Sequence, residues 1–275
     1  MGTRIRQILH DAIFTDLSLT SGVDITKKDQ VGKAFEKSEA SWVLHLAALA
    51  DVDKCEKEKE LAYKINVEGT RNIVEACQKY KKKLIHISTD FVFEGEDEEY
   101  FEDSKRGAVD YYGETKILAE DEVMKGLPEN RWVILRISHP YKLLVQNEPK
   151  KSFFQRMYEV LKSGQFLTAI SDFYSRPTYI DDIAKTIERL IQLDFHGVLH
   201  CVGGSLLTGY EEAIEICEVF NFDKKLVKAV LLDDYFVNRA KRAHKLNLNN
   251  DKIGRELKIT PLMFKEGLLE IKRQM

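Results

Sequence analysis

Short apolar runs alternate with longer amphipathic stretches along most of this chain. The runs at residues 12–15, 42–46, 84–87, 132–137 and 198–202 are strand-sized and mostly aliphatic or aromatic, which predicts buried strands. Residues 28–37, 61–80, 111–124, 152–161 and 180–193 carry apolar positions at helical spacing. In the longest of these, Ile65, Ile73, Val74 and Cys77 mark the apolar side. Strand and helix in alternation predict a parallel sheet covered on both faces, the α/β doubly wound class. From residue 208 onward the pattern is mainly helical and ends in a helix over 262–271. After Ser138 the character shifts, with a polar loop through Gln146, Asn147, Glu148 and Pro149.

A doubly wound sheet binds its ligand beyond the C-terminal ends of the strands. Four loops are expected there: Thr15 and Asp16; Ala47, Ala48 and Leu49; Ser88, Thr89 and Asp90; and Ser138, His139 and Pro140. The third delivers a small hydroxyl and a carboxylate at the end of a buried strand. About twenty residues on, Tyr112 stands four positions before Lys116 at a helix start, so both side chains share one helix face. A phenol titrates near 10, and a neighbouring ammonium favours the phenolate, bringing proton exchange within reach of neutral pH. With Thr89 placed to bond a carbonyl, these are parts for reducing a ketone or oxidising an alcohol with a nicotinamide cofactor. The pair alone is weak, since Tyr158 and Lys162 repeat the spacing on what reads as ordinary helix surface. The upstream hydroxyl and acid strengthen the case.

Bulk properties narrow the class. The 275 residues carry a formal charge of −3 with 44% hydrophobic and 32% charged residues, as in an ordinary soluble chain with ample core. No basic excess is available to neutralise nucleic-acid phosphates, and Lys81, Lys82 and Lys83 read as a solvated turn. Cys55, Cys77, Cys201 and Cys217 are widely spaced, which argues against a zinc site or disulfide framework and fits a reducing compartment. The last three lie in apolar patterns and read as small core residues. Neither a signal peptide nor a membrane-length apolar run is evident, so cytoplasm is the expected location. No metal-ligand cluster stands out, and a metal requirement is left open.

The chain resembles the extended short-chain dehydrogenase/reductase family, most closely its dTDP-4-dehydrorhamnose reductase branch. The matching stretches, in the family's order, are Asp24-Ile25-Thr26; Leu46-Ala47-Ala48 with Val52 to Glu56; Ala62 to Val67; His86 to Gly95; Tyr112 to Lys116; Leu135 to Ser138; and Arg176-Pro177-Thr178. The resemblance implies a Rossmann-like dinucleotide-binding domain over 1–138 and 178–203, and a smaller, mainly helical substrate domain over 139–177 and 204–275. It makes Tyr112 the proton donor and Lys116 the holder of the nicotinamide ribose. Thr89 and Asp90 are implied to contact the substrate near its keto group, and His139 falls where the family usually has a substrate-contacting residue, often an aromatic. Asp24 and Ile25 flank the adenine, and Ala47, Ala48 and Leu49 line the cofactor backbone. Asn66 is either a structural residue with local bonds or part of a proton relay. Asp16, beyond the second family strand, is placed to bond a ribose 2′-hydroxyl and tilts the choice between NAD(H) and NADP(H) toward NAD(H). The implied substrate is a nucleotide-activated deoxysugar with a 4-keto group, and a homodimer is left open. The same resemblance extends to a non-catalytic alternative, the regulatory subunit of methionine adenosyltransferase.

One part of the family pattern is missing. The family opens with a buried strand and a glycine-rich turn for the pyrophosphate, whereas this sequence opens with Met1-Gly2-Thr3-Arg4-Ile5, similar to the helix after that turn. The expectation is a start site assigned too far downstream, rather than a shortened chain or a true loss, with the 275-residue form binding dinucleotide poorly or being unstable alone.

Overall fold

The computed structural model describes residues 2–9, 23–142 and 152–275. The strand expected at 12–15, Asp16, and the loop at Gln146 to Pro149 lie outside the described residues. The elements run α1 (Gly2–Ile8), α2 (Lys28–Glu36), β1 (Trp42–His45), α3 (Val52–Lys57), α4 (Lys59–Tyr63) and α5 (Gly69–Lys79). They continue with β2 (Lys83–Thr89), α6 (Tyr111–Gly126), β3 (Trp132–Ile137), α7 (Phe153–Lys162), α8 (Ile180–Gln192) and β4 (Gly197–Cys201). The C-terminal part holds α9 (Gly209–Phe220), α10 (Leu232–Tyr235), α11 (Asp251–Leu257) and α12 (Phe264–Gln274).

Strands β1, β2, β3 and β4 form one four-stranded parallel sheet in that order. Every residue of β3 is buried, as a parallel strand covered on both faces requires. On one face Ile85, Val133, Leu135 and Leu199 pack against Ile5 of α1, Ile183 and Ile187 of α8, and Ile253 of α11. On the other, Leu84 and Ile134 pack against Val31 of α2, Ile73 and Val74 of α5, and Val123 of α6. A separate aromatic core joins Tyr141, Phe154, Tyr158, Ile216 and Phe264.

The helix expected over 61–80 is real but not uniform. Between α4 and α5 the backbone widens to a π-helical segment, Lys64–Glu68, which buries Asn66 and Val67. Such a bulge inserts a residue and re-aims the side chains around it. The C-terminal part holds more strand than its pattern suggests: Val227–Val230 pairs in parallel with Leu167–Ile170.

Two further expectations need correction. Tyr158 is not surface: it is buried, with the rings of Phe220 and Phe222 centred 4.9 and 5.4 Å away, and Lys162 covers it with Nζ 5.7 Å from the ring centre. The lysine stem shields the ring while its ammonium stays wet. Lys82 is not a solvated turn residue either. Its side chain folds inward, and Nζ donates to the carbonyls of Ser38 and Ala40 at 2.7 and 2.6 Å, tying the loop before β1 to the start of β2. All four cysteines are buried and free, Cys55 included.

Candidate active site

The loops after β1, β2 and β3 converge at one end of the sheet. At the end of β2, Thr89 Oγ1 accepts from the Phe91 amide and donates to Asp90 Oδ1 at 2.9 Å. Asp90 Oδ2 accepts from Ser138 Oγ at 2.6 Å, which joins the ends of β2 and β3. Asp90 is 2% exposed, and burial raises its carboxyl above the ordinary range against the lowering effect of the Ser138 and Thr89 bonds.

Helix α6 starts where it does because Asp110 caps it, its Oδ1 accepting from the Gly113 amide at 2.8 Å. That first turn lies directly on the turn after β2: a Cβ on Gly113 would stand 2.2 Å from the Phe91 carbonyl oxygen. The close approach carries Tyr112 inward, edge-on to Phe91 with ring centres 5.7 Å apart and packed beside Cys55 and Ala62. Thr89 stands close enough to Tyr112 to favour the phenolate, but burial dominates and raises the phenol above its usual value. After burial and Thr89, the groups that move it most are Asp90, Cys55 and Asp110, all of which raise it. The expected help from Lys116 is not among them.

The reason is where Lys116 points. One helical turn beyond Tyr112, its ammonium is turned to β2, donating to the Ile87 carbonyl at 2.7 Å and meeting His86 Nε2 at 3.1 Å. Lys116 is 3% exposed, and burial pushes its pKa down to about 8, with Glu120 opposing. One turn further, fully buried Glu120 accepts from Arg136 Nε and Nη2, both at 2.9 Å, and from Ser88 Oγ at 2.6 Å. The residue before Thr89 is thereby fastened to the helix that carries Tyr112.

The loop after β1 is held by Asn66. Its Oδ1 accepts from the Leu49 amide at 2.7 Å, and its Nδ2 donates to the Leu49 carbonyl at 3.1 Å and to Thr115 Oγ1 at 2.9 Å. Every polar atom of the amide is engaged, so Asn66 clamps the 47–49 loop to α6; its bonds are long-range rather than local. Ala48 is exposed, with Ala47 and Leu49 half-buried beside it. Asp24 uses Oδ1 to accept from the Thr26 amide and hydroxyl, which hold its pKa below the ordinary carboxylate range. Ile25 is 6% exposed and sits in the helix-covered core against Gly69, so its side chain serves packing.

Beside these loops opens a cavity of about 240 Å³ lined mainly by apolar groups. Asp90 and His139, both singled out in the sequence, meet in its wall, while Thr89 and Tyr112 stand immediately behind Asp90 and Phe91. His139 adopts a left-handed φ of 42°, stacks on Phe153 with ring centres 3.7 Å apart, and turns Nδ1 to Glu212 Oε1 at 3.3 Å. Sequence reading missed Phe236 and Arg242, which arrive from the segment after α10. Arg242 shares Asp53 with Arg239 and the Ala240 amide, so Asp53 fastens that segment beside the cavity. Residues 232–243 have no strong apolar period, and their signal in the sequence is a cluster of arginine and aromatic residues.

The chain belongs to the RmlD substrate binding domain family, which it matches over residues 1–275. It is 28% identical over 264 residues to the dTDP-4-dehydrorhamnose reductase of Aggregatibacter actinomycetemcomitans, covering 92% of this chain and 87% of that one. Its fold is similar to that of a dTDP-4-dehydrorhamnose reductase ortholog from Clostridium acetobutylicum, with TM-score 0.88 and 29% identity over 100% of this chain and 96% of the other. A dTDP-4-dehydrorhamnose reductase from Bacillus anthracis solved in complex with NADP gives TM-score 0.84 and 27% identity over 92% and 87% of the two chains. No helix among the described residues is long and apolar enough to cross a membrane.

Proposed function

We propose that this family member is an NAD(P)H-dependent reductase of the 4-keto group of a nucleotide-activated deoxysugar, like the dTDP-4-dehydrorhamnose reductases it is similar to. The single observation that carries the reading is that the Thr89 and Tyr112 side chains come together at the strand end, one residue from a cavity wall. A non-catalytic subunit needs no such pair.

The residues suit a dinucleotide lying across the strand ends. Ala48 leaves room for close approach, Asp24 offers a carboxylate, and Lys116 keeps one N–H beyond its two bonds to β2. When bound, the nicotinamide supplies the hydride. Tyr112 delivers its phenolic proton to the nascent alkoxide, and the Thr89 hydroxyl, now directed to Asp90, swings onto the same oxygen as charge develops. Asp90 then retains Ser138 Oγ as its donor. Lys116 holds the ribose, and His139 contacts the sugar across the cavity. A preference for NADH over NADPH rests on Asp16 alone, and Asp16→Ala relaxes it on this reading.

The test is consumption of NADH and NADPH with a panel of 4-keto sugar nucleotides. Turnover is expected in the native protein and a loss of about 10²–10⁴-fold in Tyr112→Phe, with cofactor affinity unchanged. A Tyr112→Phe protein that retains turnover rejects the assignment.

A further inference from the structure

Lys116 has two acceptors on β2, the Ile87 carbonyl and His86 Nε2, and an ammonium has three hydrogens. Two are therefore engaged beneath the site and one remains. His86 is 1% exposed, and its other ring nitrogen, Nδ1, is buried with no hydrogen-bond partner among the described residues. An orphaned buried nitrogen is costly, and a native core keeps one only where the rest of the ring does something an apolar residue cannot. Burial holds the imidazole neutral, well below its ordinary pKa, with the His45 ring centred 5.2 Å away.

We propose that His86 is a positioning residue for Lys116: as the neutral Nδ1–H tautomer it accepts one ammonium hydrogen at Nε2 and, with the Ile87 carbonyl, aims the remaining N–H at the reaction site. The geometry stands by itself, while the catalytic consequence rests on the reductase reading above. Glu120 on its own helix raises the Lys116 pKa against burial, while Lys116 itself lowers the pKa of the neighbouring His86 on β2 and His45 on β1. A neutral acceptor stabilises the charged amine, so removing it lowers the pH at which Lys116 titrates.

Nitrogen-15 NMR of the histidine-labelled native protein tests the tautomer directly. Between pH 6 and 7.5 His86 is expected as neutral Nδ1–H; a neutral Nε2–H form overturns the proposal, whatever the variants do. Lysine side-chain NMR, with Lys116 assigned through Lys116→Met, supplies the second arm. In His86→Leu the Lys116 midpoint should fall by about one pH unit, with recovery in His86→Gln, which restores an acceptor. An unchanged midpoint in His86→Leu also overturns it. Should the native protein reduce no 4-keto sugar nucleotide, the reductase reading fails, while these two measurements still decide the role of His86. Should it turn over, the alkaline limb of kcat/KM must move with the Lys116 midpoint.

Discussion

Glu120 and Arg136 form a two-point ion pair, Nε to Oε1 and Nη2 to Oε2 both at 2.9 Å, with the carboxylate fully enclosed. The pair joins α6 to β3, and through Ser88 it reaches the strand that ends in Thr89. Glu120 is held below the ordinary carboxylate range by Arg136, Ser88 and Arg106 despite its burial. Breaking one partner strands the other charge in the core, at about 3–5 kcal/mol. Glu120→Gln should lower unfolding stability by that amount in urea titrations, and joint replacement of Glu120 by Leu and Arg136 by Met should regain much of it. If Glu120→Gln costs no more than an exposed substitution, the pair is not what fastens α6.

Thr89→Val keeps the shape and removes the hydroxyl. Its kcat on a 4-keto sugar nucleotide should fall by about 10²-fold, Thr89→Ser should keep most of it, and nicotinamide affinity should stay the same. Steady-state kinetics beside fluorescence titration of NADPH separates these outcomes.

Acid should destabilise the fold through its enclosed imidazoles, His45 and His200 among them. Burial pushes both His45 and His200 down to about 3 from an ordinary 6.5. As the pH drops below about 6.5, the unfolded chain takes up protons that the native state refuses. Stability therefore falls from near pH 6.5 toward pH 3, by about 1.4 kcal/mol per pH unit for each histidine. Thermal unfolding at a series of pH values reads the slope, and His200→Gln should flatten it.

Gly113→Ala forces a methyl against the Phe91 carbonyl and the Ala108 side chain, where contacts of 2.2 and 2.8 Å would result. The first turn of α6 must lift, at about 1–3 kcal/mol. Because Tyr112 rides on that turn, turnover should drop further than the stability loss alone explains. Circular dichroism melts and kcat on one preparation would show whether it does.

Asp53 holds Arg239, Arg242 and the Ala240 amide from a segment more than 180 residues away. Asp53→Ala should loosen residues 236–243, raise the KM for the sugar nucleotide about tenfold, leave kcat within twofold, and open new tryptic cuts at Arg239 or Arg242. An unchanged KM removes that segment from substrate binding.

Much of this molecule was legible in its residue order. The strand runs at 42–46, 84–87, 132–137 and 198–202 and the helices between them match the fold to within a few residues, because side-chain period is a local property of the backbone. Thr89, Asp90 and Tyr112 do gather at one strand end, as the loop positions implied. The π segment at Lys64–Glu68 was not legible, because one inserted residue leaves the helical apolar pattern nearly intact. Tyr158 and Lys82 misled for a related reason: their types favour surface, and only their neighbours in space decide otherwise.

The amino-acid order by itself determined the class of sheet, the span of its elements and the presence of a phenol, an amine and an alcohol near its ligand-binding end. Tertiary structure alone decided that Lys116 turns to His86 rather than to Tyr112, that Glu120 finds Arg136, and that Arg242 and Phe236 complete the cavity wall. Periodicity reports which face of an element is apolar. Hydrogen-bond direction and desolvation depend on groups brought together from distant parts of the chain, and those exist only once the chain has folded.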